Sequence, residues 1–194
     1  MYDPYVSQEI TIKDLLTHRS GLGLGQGDLM FFPEGGTLTI NEIIHNVRYL
    51  KPENSFRSKL DYNNIMFIVA GEIIHRVSGL SWAEFIEQRI MKPVGMTASF
   101  GSYNRAKAAN VSNIIDAHAP VNGKVVAIPH DWNETGNAAG GIISNIKDMT
   151  TWAAFLMNGF TTKEGKKLVT DKQIQQLWNL QIAMPVALKN LYDS

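Results

Sequence analysis

Cysteine is absent from this 194-residue sequence. Its absence excludes disulfides and thiolate metal sites, but it leaves the cellular compartment open. An excess of charge of one sign is also missing, since 18 lysines and arginines balance 18 aspartates and glutamates. Without a basic excess there is no electrostatic footprint for nucleic acid. No apolar run is long enough to cross a bilayer, so the sequence predicts no membrane span.

Other signals are missing as well. The sequence shows no internal repeat and no low-complexity segment, and Met1 to Tyr5 do not form the basic start and apolar core of a signal peptide. What is present is an ordinary globular composition, with 44% apolar and 19% charged residues. Length and composition together predict a single domain over residues 1–194.

Capping signals and apolar periodicity predict that this domain is mainly helical. A central helix is predicted from about Asn63 to Val77, with apolar side chains on more than one side and Gly79 at its end. A later helix is predicted to start at a Ser144 cap. Asn122-Gly123 predicts one small β-hairpin. The pairs that predict further helix starts are Thr11 with Asp14, Thr39 with Glu42, Ser81 with Glu84, and Thr170 with Gln173.

A polar triplet, Tyr62-Asn63-Asn64, stands at the mouth of the central helix. Asparagine favours helix starts, so one interpretation is structural: asparagine caps beside a packed tyrosine. The other interpretation is functional, because a phenol and two carboxamides next to a buried helix form a set of proton-transfer and hydrogen-bonding groups. Two residues separated by one diverge on a helix, so Tyr62 and Asn64 converge only if the triplet lies on a turn.

The surrounding sequence favours the functional interpretation, because it resembles a known family. The triplet resembles the Tyr-x-Asn motif of the serine β-lactamase and penicillin-binding-protein family, specifically its class C-like esterase and peptidase branch. Residues 12–22 read Ile-Lys-Asp-Leu-Leu-Thr-His-Arg-Ser-Gly-Leu and resemble the block that precedes this motif. Residues 71–79, 139–149 (Ala-Gly-Gly-Ile-Ile-Ser, then Asp-Met) and 168–170 resemble later blocks in the family's order.

This resemblance implies a fold class and a boundary. The chain is expected to be the helical lobe of the β-lactamase/transpeptidase-like α+β fold, mainly α with one small β-hairpin. The family's Ser-x-x-Lys nucleophile motif lies upstream of the block at residues 12–22, and its Lys-Thr-Gly or His-x-Gly strand lies beyond Ser194. We therefore expect residues 1–194 to be a fragment that lacks the Ser-x-x-Lys part and the C-terminal sheet, and that is inactive by itself. Relatives are commonly exported, so the parent is expected to be periplasmic or secreted.

The resemblance also implies catalytic roles. An acyl-serine enzyme needs a base that takes the serine proton and an acid that returns one to the leaving group. A free phenol, with a pKa of about 10, is a poor base unless a nearby ammonium favours the phenolate. By resemblance, Tyr62 is this proton shuttle and Asn64 donates its side-chain amide to the substrate carbonyl, whereas Asn63 points elsewhere. The expected substrate is a small-molecule or peptide acyl compound, and no cofactor is implied.

A rival hypothesis treats the chain as a non-catalytic binding or scaffold module that keeps this fold. Truncation of a larger enzyme predicts instead that helices expose the apolar surface which would otherwise pack on the sheet, and that the fragment self-associates.

Several other patterns suggest chemistry. Ser144-Asn145-Ile146-Lys147 matches Ser-x-x-Lys literally, but it follows the Tyr-x-Asn motif instead of preceding it, so a helix cap is the preferred interpretation. Glycines between residues 21 and 27 alternate as in a phosphate loop, yet no Gly-Lys-Ser/Thr follows. His118 and His130 flank the hairpin, but no His-Glu-x-x-His spacing supports a metal site. Glu72 and Arg76 predict a surface ion pair.

Overall fold

The computed structural model describes residues 1–32, 36–130 and 132–184. The first half of the chain forms helices that pack around one long helix, which is buried mainly in its N-terminal half. Near its middle this long helix carries Gly71, where an added Cβ would lie 2.5 Å from the Cβ of Ala138. The helices of this half are α1 (Pro4–Glu9), α2 (Ile12–Leu16), α3 (Ile40–Asn46) and the long helix α4 (Asn64–Ser78).

Shorter helices and a hairpin make up the second half. One helix passes through a π-helical turn at Glu87–Met91, and another forms within residues 100–112, where the sequence predicts no element. The elements are α5 (Trp82–Ile86), α6 (Lys92–Val94), α7 (Tyr103–Ala108), β1 (Ala117–Val121), β2 (Lys124–Ile128), α8 (Asn137–Gly140), α9 (Ile146–Met157) and α10 (Asp171–Trp178).

The local signals in the sequence form as predicted. Each of the four predicted pairs makes a reciprocal capping box at the start of its helix. Gly79 ends α4 with a φ of +74°, a conformation that glycine adopts without strain. In the hairpin, Val121 pairs with Lys124, and both Asn122 and Gly123 have positive φ. Positive φ at both turn residues is the signature of a two-residue type I′ hairpin turn.

One predicted cap is wrong. Asn145, and not Ser144, caps α9, because its Oδ1 accepts a hydrogen bond from the N–H of Asp148 at 3.0 Å. Ser144 instead lies 2.8 Å from the hydroxyl of Ser99. Serine and asparagine are both good caps. Here the Ser144 hydroxyl bonds to Ser99, a tertiary contact that the local sequence does not reveal, and Asn145 forms the cap.

The described residues bury two apolar clusters. The first lies around the N-terminal half of α4, where α2, α3 and the glycine-rich segment (residues 21–28) pack against it. The second joins the helices from Trp82 to Val94 with α9. The buried members of the first cluster are Leu15, Leu22, Phe31, Ile43, Val47, Ile65, Met66 and Ile68. Those of the second are Ile86, Met91, Val94, Met96, Phe155 and Phe160.

Within the described residues the fold is mainly helical with a two-stranded sheet, which confirms the predicted fold class. In this part of the chain no single helix combines the length and apolarity of a membrane span; only α4 taken together with Trp82–Val94, across a 74° bend, meets that criterion.

Candidate active site

The triplet straddles the start of α4. Tyr62 and Asn63 precede the helix, whereas Asn64 is its first residue. Asn63 occupies the cap position, yet its side chain makes no capping hydrogen bond. The sequence predicts that the helix starts at about Asn63 and that the triplet lies before it. In the structure the helix starts at Asn64, so only Tyr62 and Asn63 lie before it.

Tyr62 is presented to solvent at this helix start. Its side chain is 47% exposed, and one part of its ring lies against the imidazole of His18, with ring centroids 4.5 Å apart. No hydrogen bond links the phenol oxygen to any of the residues that the structure describes. The phenol is therefore supported from one side and accessible from another.

Asn63 has a role that the sequence did not reveal. Its side chain is fully buried, and its Nδ2 donates to the backbone carbonyls of Gly23 at 3.1 Å and Gln26 at 2.8 Å. The expectation that Asn63 points elsewhere agrees with this burial. Asn63 does occupy the cap position, but its side chain makes no capping hydrogen bond. Asn63 ties the glycine-rich segment to the start of α4.

Asn64 is oriented by a carboxylate from the same segment. Its Nδ2 donates to Oδ2 of Asp28 at 3.0 Å, at the start of a short 3-10 turn, Asp28–Met30. A carboxylate only accepts hydrogen bonds, so the NH2 end of the Asn64 amide faces Asp28. One N–H and the carbonyl oxygen of that amide remain for other partners.

His18 contacts this approach from the Thr-His-Arg-Ser-Gly block. Its Nδ1 accepts from the backbone N–H of Asn63 at 3.1 Å, and its carbonyl accepts from the N–H of Asp61 at 2.8 Å. Burial lowers the pKa of His18. Ser20, two residues on, is buried and accepts from the N–H of Leu22, so His18 and Ser20 do not act as base and nucleophile.

A buried carboxylate anchors this block. Asp14 is fully buried and receives Nη2 of Arg19 at 2.6 Å and a bidentate contact from Arg57 at 2.8 and 3.0 Å. Burial alone would raise the pKa of Asp14, but hydrogen bonds from Arg57 and Thr11 outweigh it and hold that pKa well below its usual range. The network joins α2 to the segment that leads into the triplet.

The literal Ser-x-x-Lys match lies in a different network. The carboxylate of Asp148 accepts the Ser99 hydroxyl at 2.7 Å. The single proton of Ser99 is thus used, and Ser144 must donate its own proton to Ser99. In the described part of the chain, no hydrogen bond joins Lys147 to Ser144. Among the described residues, this arrangement therefore places neither a lysine nor a carboxylate in direct hydrogen-bond contact with the Ser144 hydroxyl.

The histidines near the hairpin do not converge. His118 pairs with Ala127 across the strands, while His130 stacks on Tyr103 with ring centroids 4.2 Å apart. Across residues 1–32, 36–130 and 132–184, no three metal-ligating side chains form a group. Glu72 and Arg76 make the predicted surface pair at 2.8 Å.

Comparisons with known proteins find relatives of similar sequence and fold. An unguisins hydrolase of Aspergillus campestris is 25% identical over 187 residues, which is 92% of this chain and 33% of the fungal protein. D-amino acid amidase from Ochrobactrum anthropi shares the fold with a TM-score of 0.68 at 23% identity, over 89% of this chain and 48% of the amidase. The octameric penicillin-binding protein homologue from Pyrococcus abyssi gives a TM-score of 0.67 at 24% identity, over 88% and 38%.

The chain thus spans about a third of the fungal relative and less than half of each of these two solved structures. A family model described as Beta-lactamase matches residues 2–188, nearly the whole chain. On that match, the chain belongs to the β-lactamase family, as its sequence motifs indicate.

Proposed function

We propose that this chain supplies the Tyr-x-Asn side of the active site of a serine hydrolase, with Tyr62 and Asn64 as its catalytic residues. One observation carries the proposal: a half-exposed phenol stands directly before a helix whose first residue presents an oriented carboxamide. Members of the β-lactamase family are serine hydrolases, among them amidases, peptidases and β-lactamases.

The two side chains suit the two tasks of acyl transfer. Tyr62 takes the proton of the attacking serine and returns it to the leaving group, which requires a nearby cation to favour the phenolate. Asn64 keeps one N–H beyond the one given to Asp28, and that proton is free for a substrate carbonyl. The nucleophile and the cation come from a Ser-x-x-Lys motif in the parent protein, so we propose that residues 1–194 alone are inactive.

For the substrate, we propose an amide, ester or lactam whose acyl group passes to the parent's serine and then to water. The solved relative with D-amino acid amidase activity was bound to L-phenylalanine amide, and this supports an amide substrate. A non-catalytic module that keeps the fold is the alternative. It is favoured only if the parent carries no serine that Tyr62 could serve.

The test is acylation of the parent protein, expressed as a version of this chain extended at both ends. Intact mass is measured after treatment with a fluorophosphonate and with a penicillin. We expect labelling of the extended protein at an upstream serine, no labelling of residues 1–194, and a loss of labelling in Tyr62→Phe. Tyr49→Phe, which alters an exposed tyrosine in the 3-10 turn that follows α3, is the matched control. Unchanged labelling of Tyr62→Phe would sink the proposal.

We also propose that residues 1–194 are one helical lobe and that the parent covers apolar side chains on it. Several such side chains on α9 and around α10 are well exposed: Ile146, Met157, Leu177, Trp178 and Leu180. Exposed patches of this kind mark interaction sites or aggregation-prone surfaces. Light scattering should show self-association of the short chain but not of the extended one. A monodisperse short chain that unfolds in one sharp transition would contradict this.

A further inference from the structure

We propose that His18 is a positioning residue for Tyr62 and that its imidazole is neutral in this role. The inference rests on the proposed catalytic role of Tyr62, but the contacts that carry it are independent of that role. His18 touches the backbone on both sides of Tyr62 and the ring of Tyr62 itself.

The backbone contacts bracket the tyrosine. The carbonyl oxygen of His18 accepts from the N–H of Asp61 at 2.8 Å, and its Nδ1 accepts from the N–H of Asn63 at 3.1 Å. Both chain neighbours of Tyr62 are thereby bonded to one residue. These two bonds restrain the backbone of Tyr62 on both of its sides.

The ring contacts fix the phenol. The imidazole centroid lies 4.5 Å from that of Tyr62, with 36° between the planes. It also lies 5.0 Å from the ring of Phe67, with an angle of 27°. Phe67 belongs to the start of α4, so the imidazole links the tyrosine ring to the helix that carries Asn64. Aromatic pairs at these separations are stabilising.

The hydrogen bond from Asn63 decides the protonation state. A backbone N–H can only donate, so Nδ1 of His18 carries a lone pair, and the ring proton is on Nε2. Burial, which lowers the pKa of His18, favours the same neutral form. His18 therefore brings no positive charge to the phenol. Its contribution is geometric, and the cation that favours the phenolate is a different group.

His18 is itself held in a conformation that few residues adopt. Its φ is +53°, a left-handed value that persists only where the surroundings enforce it. The next residue, Arg19, provides that enforcement. Its carbonyl accepts from the N–H of Arg57 at 3.0 Å, and its guanidinium contacts the buried Asp14. Strained residues held in this way are common at active sites.

Two variants each remove one kind of contact, either the ring contact or the Nδ1 hydrogen bond. His18→Asn tolerates a positive φ and keeps a polar acceptor, but it removes the ring. His18→Phe keeps a ring and removes the Nδ1 acceptor. We expect both to shift the Tyr62 ring resonances in NMR spectra of the extended protein. In the extended protein, we expect both to slow fluorophosphonate labelling by about 10- to 100-fold. The exposed His118→Asn is the matched control and should do neither.

Nitrogen-15 spectra of the extended protein with labelled histidine, recorded at neutral pH, test the protonation state directly, whether or not the protein is active. We expect an unprotonated Nδ1 and a protonated Nε2 at His18. A proton on Nδ1, or His18→Asn with unchanged Tyr62 resonances, would overturn the inference. If Tyr62→Phe abolishes labelling and both His18 variants label normally, the positioning role is likewise refuted while the proposed function stands. If Tyr62→Phe labels normally, the proposed function fails, and the positioning of a catalytic Tyr62 fails with it.

Discussion

The carboxylate of Asp28 holds the side-chain amide of Asn64 by a hydrogen bond of 3.0 Å. The bond joins a glycine-rich segment to the first residue of α4 across 36 positions of sequence. It also settles which end of the amide faces the segment, because a carboxylate only accepts. Asp28 thereby determines which groups of the Asn64 amide remain for another partner.

Removing the acceptor at Asp28 should impair acylation without unfolding the chain. Asp28→Ala releases the Asn64 amide, and we expect the extended protein to be labelled by a fluorophosphonate about tenfold more slowly. Asp28→Asn retains an oxygen that can accept the same bond, and it should recover most of the rate. Equal, wild-type rates for both variants would show that Asn64 needs no such partner.

Asn63 should matter for stability more than for chemistry. Asn63→Ala removes two hydrogen bonds at a buried place: the Gln26 carbonyl loses its Asn63 donor, whereas the Gly23 carbonyl keeps the backbone N–H of Gln26. We therefore expect the free energy of unfolding to fall by about 1–3 kcal/mol. Urea denaturation followed by circular dichroism measures this. Asn113→Ala, at an exposed asparagine, is the control and should stay within about 0.5 kcal/mol of wild type.

Asp14 should make stability depend on acid pH. In the folded chain its pKa is depressed, whereas an unfolded aspartate titrates at about 3.9. The unfolded chain therefore binds more protons in this range, and the contribution of Asp14 is present above about pH 4 and is lost as the pH falls toward the folded pKa.

Asp14→Asn tests this dependence. Because Arg19, whose side chain is largely buried, and the more exposed Arg57 both lose the carboxylate that they contact, we expect a loss of about 3 kcal/mol at neutral pH. The variant should also lose less stability than wild type between pH 5 and pH 3, as measured by urea midpoints. Asp171→Asn removes an exposed partner of Lys167 and should cost at most about 0.5 kcal/mol. Parallel pH profiles for wild type and Asp14→Asn would contradict the assignment.

The Ser144 hydroxyl should prove structural. Ser144→Ala removes only the donor to Ser99, so we expect a loss near 1 kcal/mol. Ser99→Ala should cost more, because it deprives the buried Asp148 of its hydroxyl donor. Neither variant should alter labelling of the extended protein. A mass adduct mapped to Ser144 would reverse this conclusion.

The sequence was most informative where structure depends on neighbours in the chain. Helix starts at Thr11, Thr39, Ser81 and Thr170 were predicted because a capping box needs only residues three apart. The hairpin turn followed from Asn122-Gly123 for the same reason. The mainly helical class is the sum of such local signals.

The sequence was least informative where a side chain forms hydrogen bonds with a segment that is distant along the chain. The bonds of Asn63 reach Gly23 and Gln26, about 40 residues away, and no local pattern signals them. The contact of Ser144 with Ser99 likewise moved the α9 cap to Asn145. The positioning of Asn64 by Asp28 depends on the path of a glycine-rich loop, which periodicity does not reveal.

The burial of Asn63 has a consequence for transferring this site to another protein. A Tyr-x-Asn motif leaves its middle residue unspecified, but here that residue holds the glycine-rich segment against the helix start. Tyr62, Asn63 and Asn64 grafted alone onto a related scaffold would carry the proposed catalytic groups without the contacts that support them. A chimera should therefore exchange residues 61–64 and residues 18–28 together.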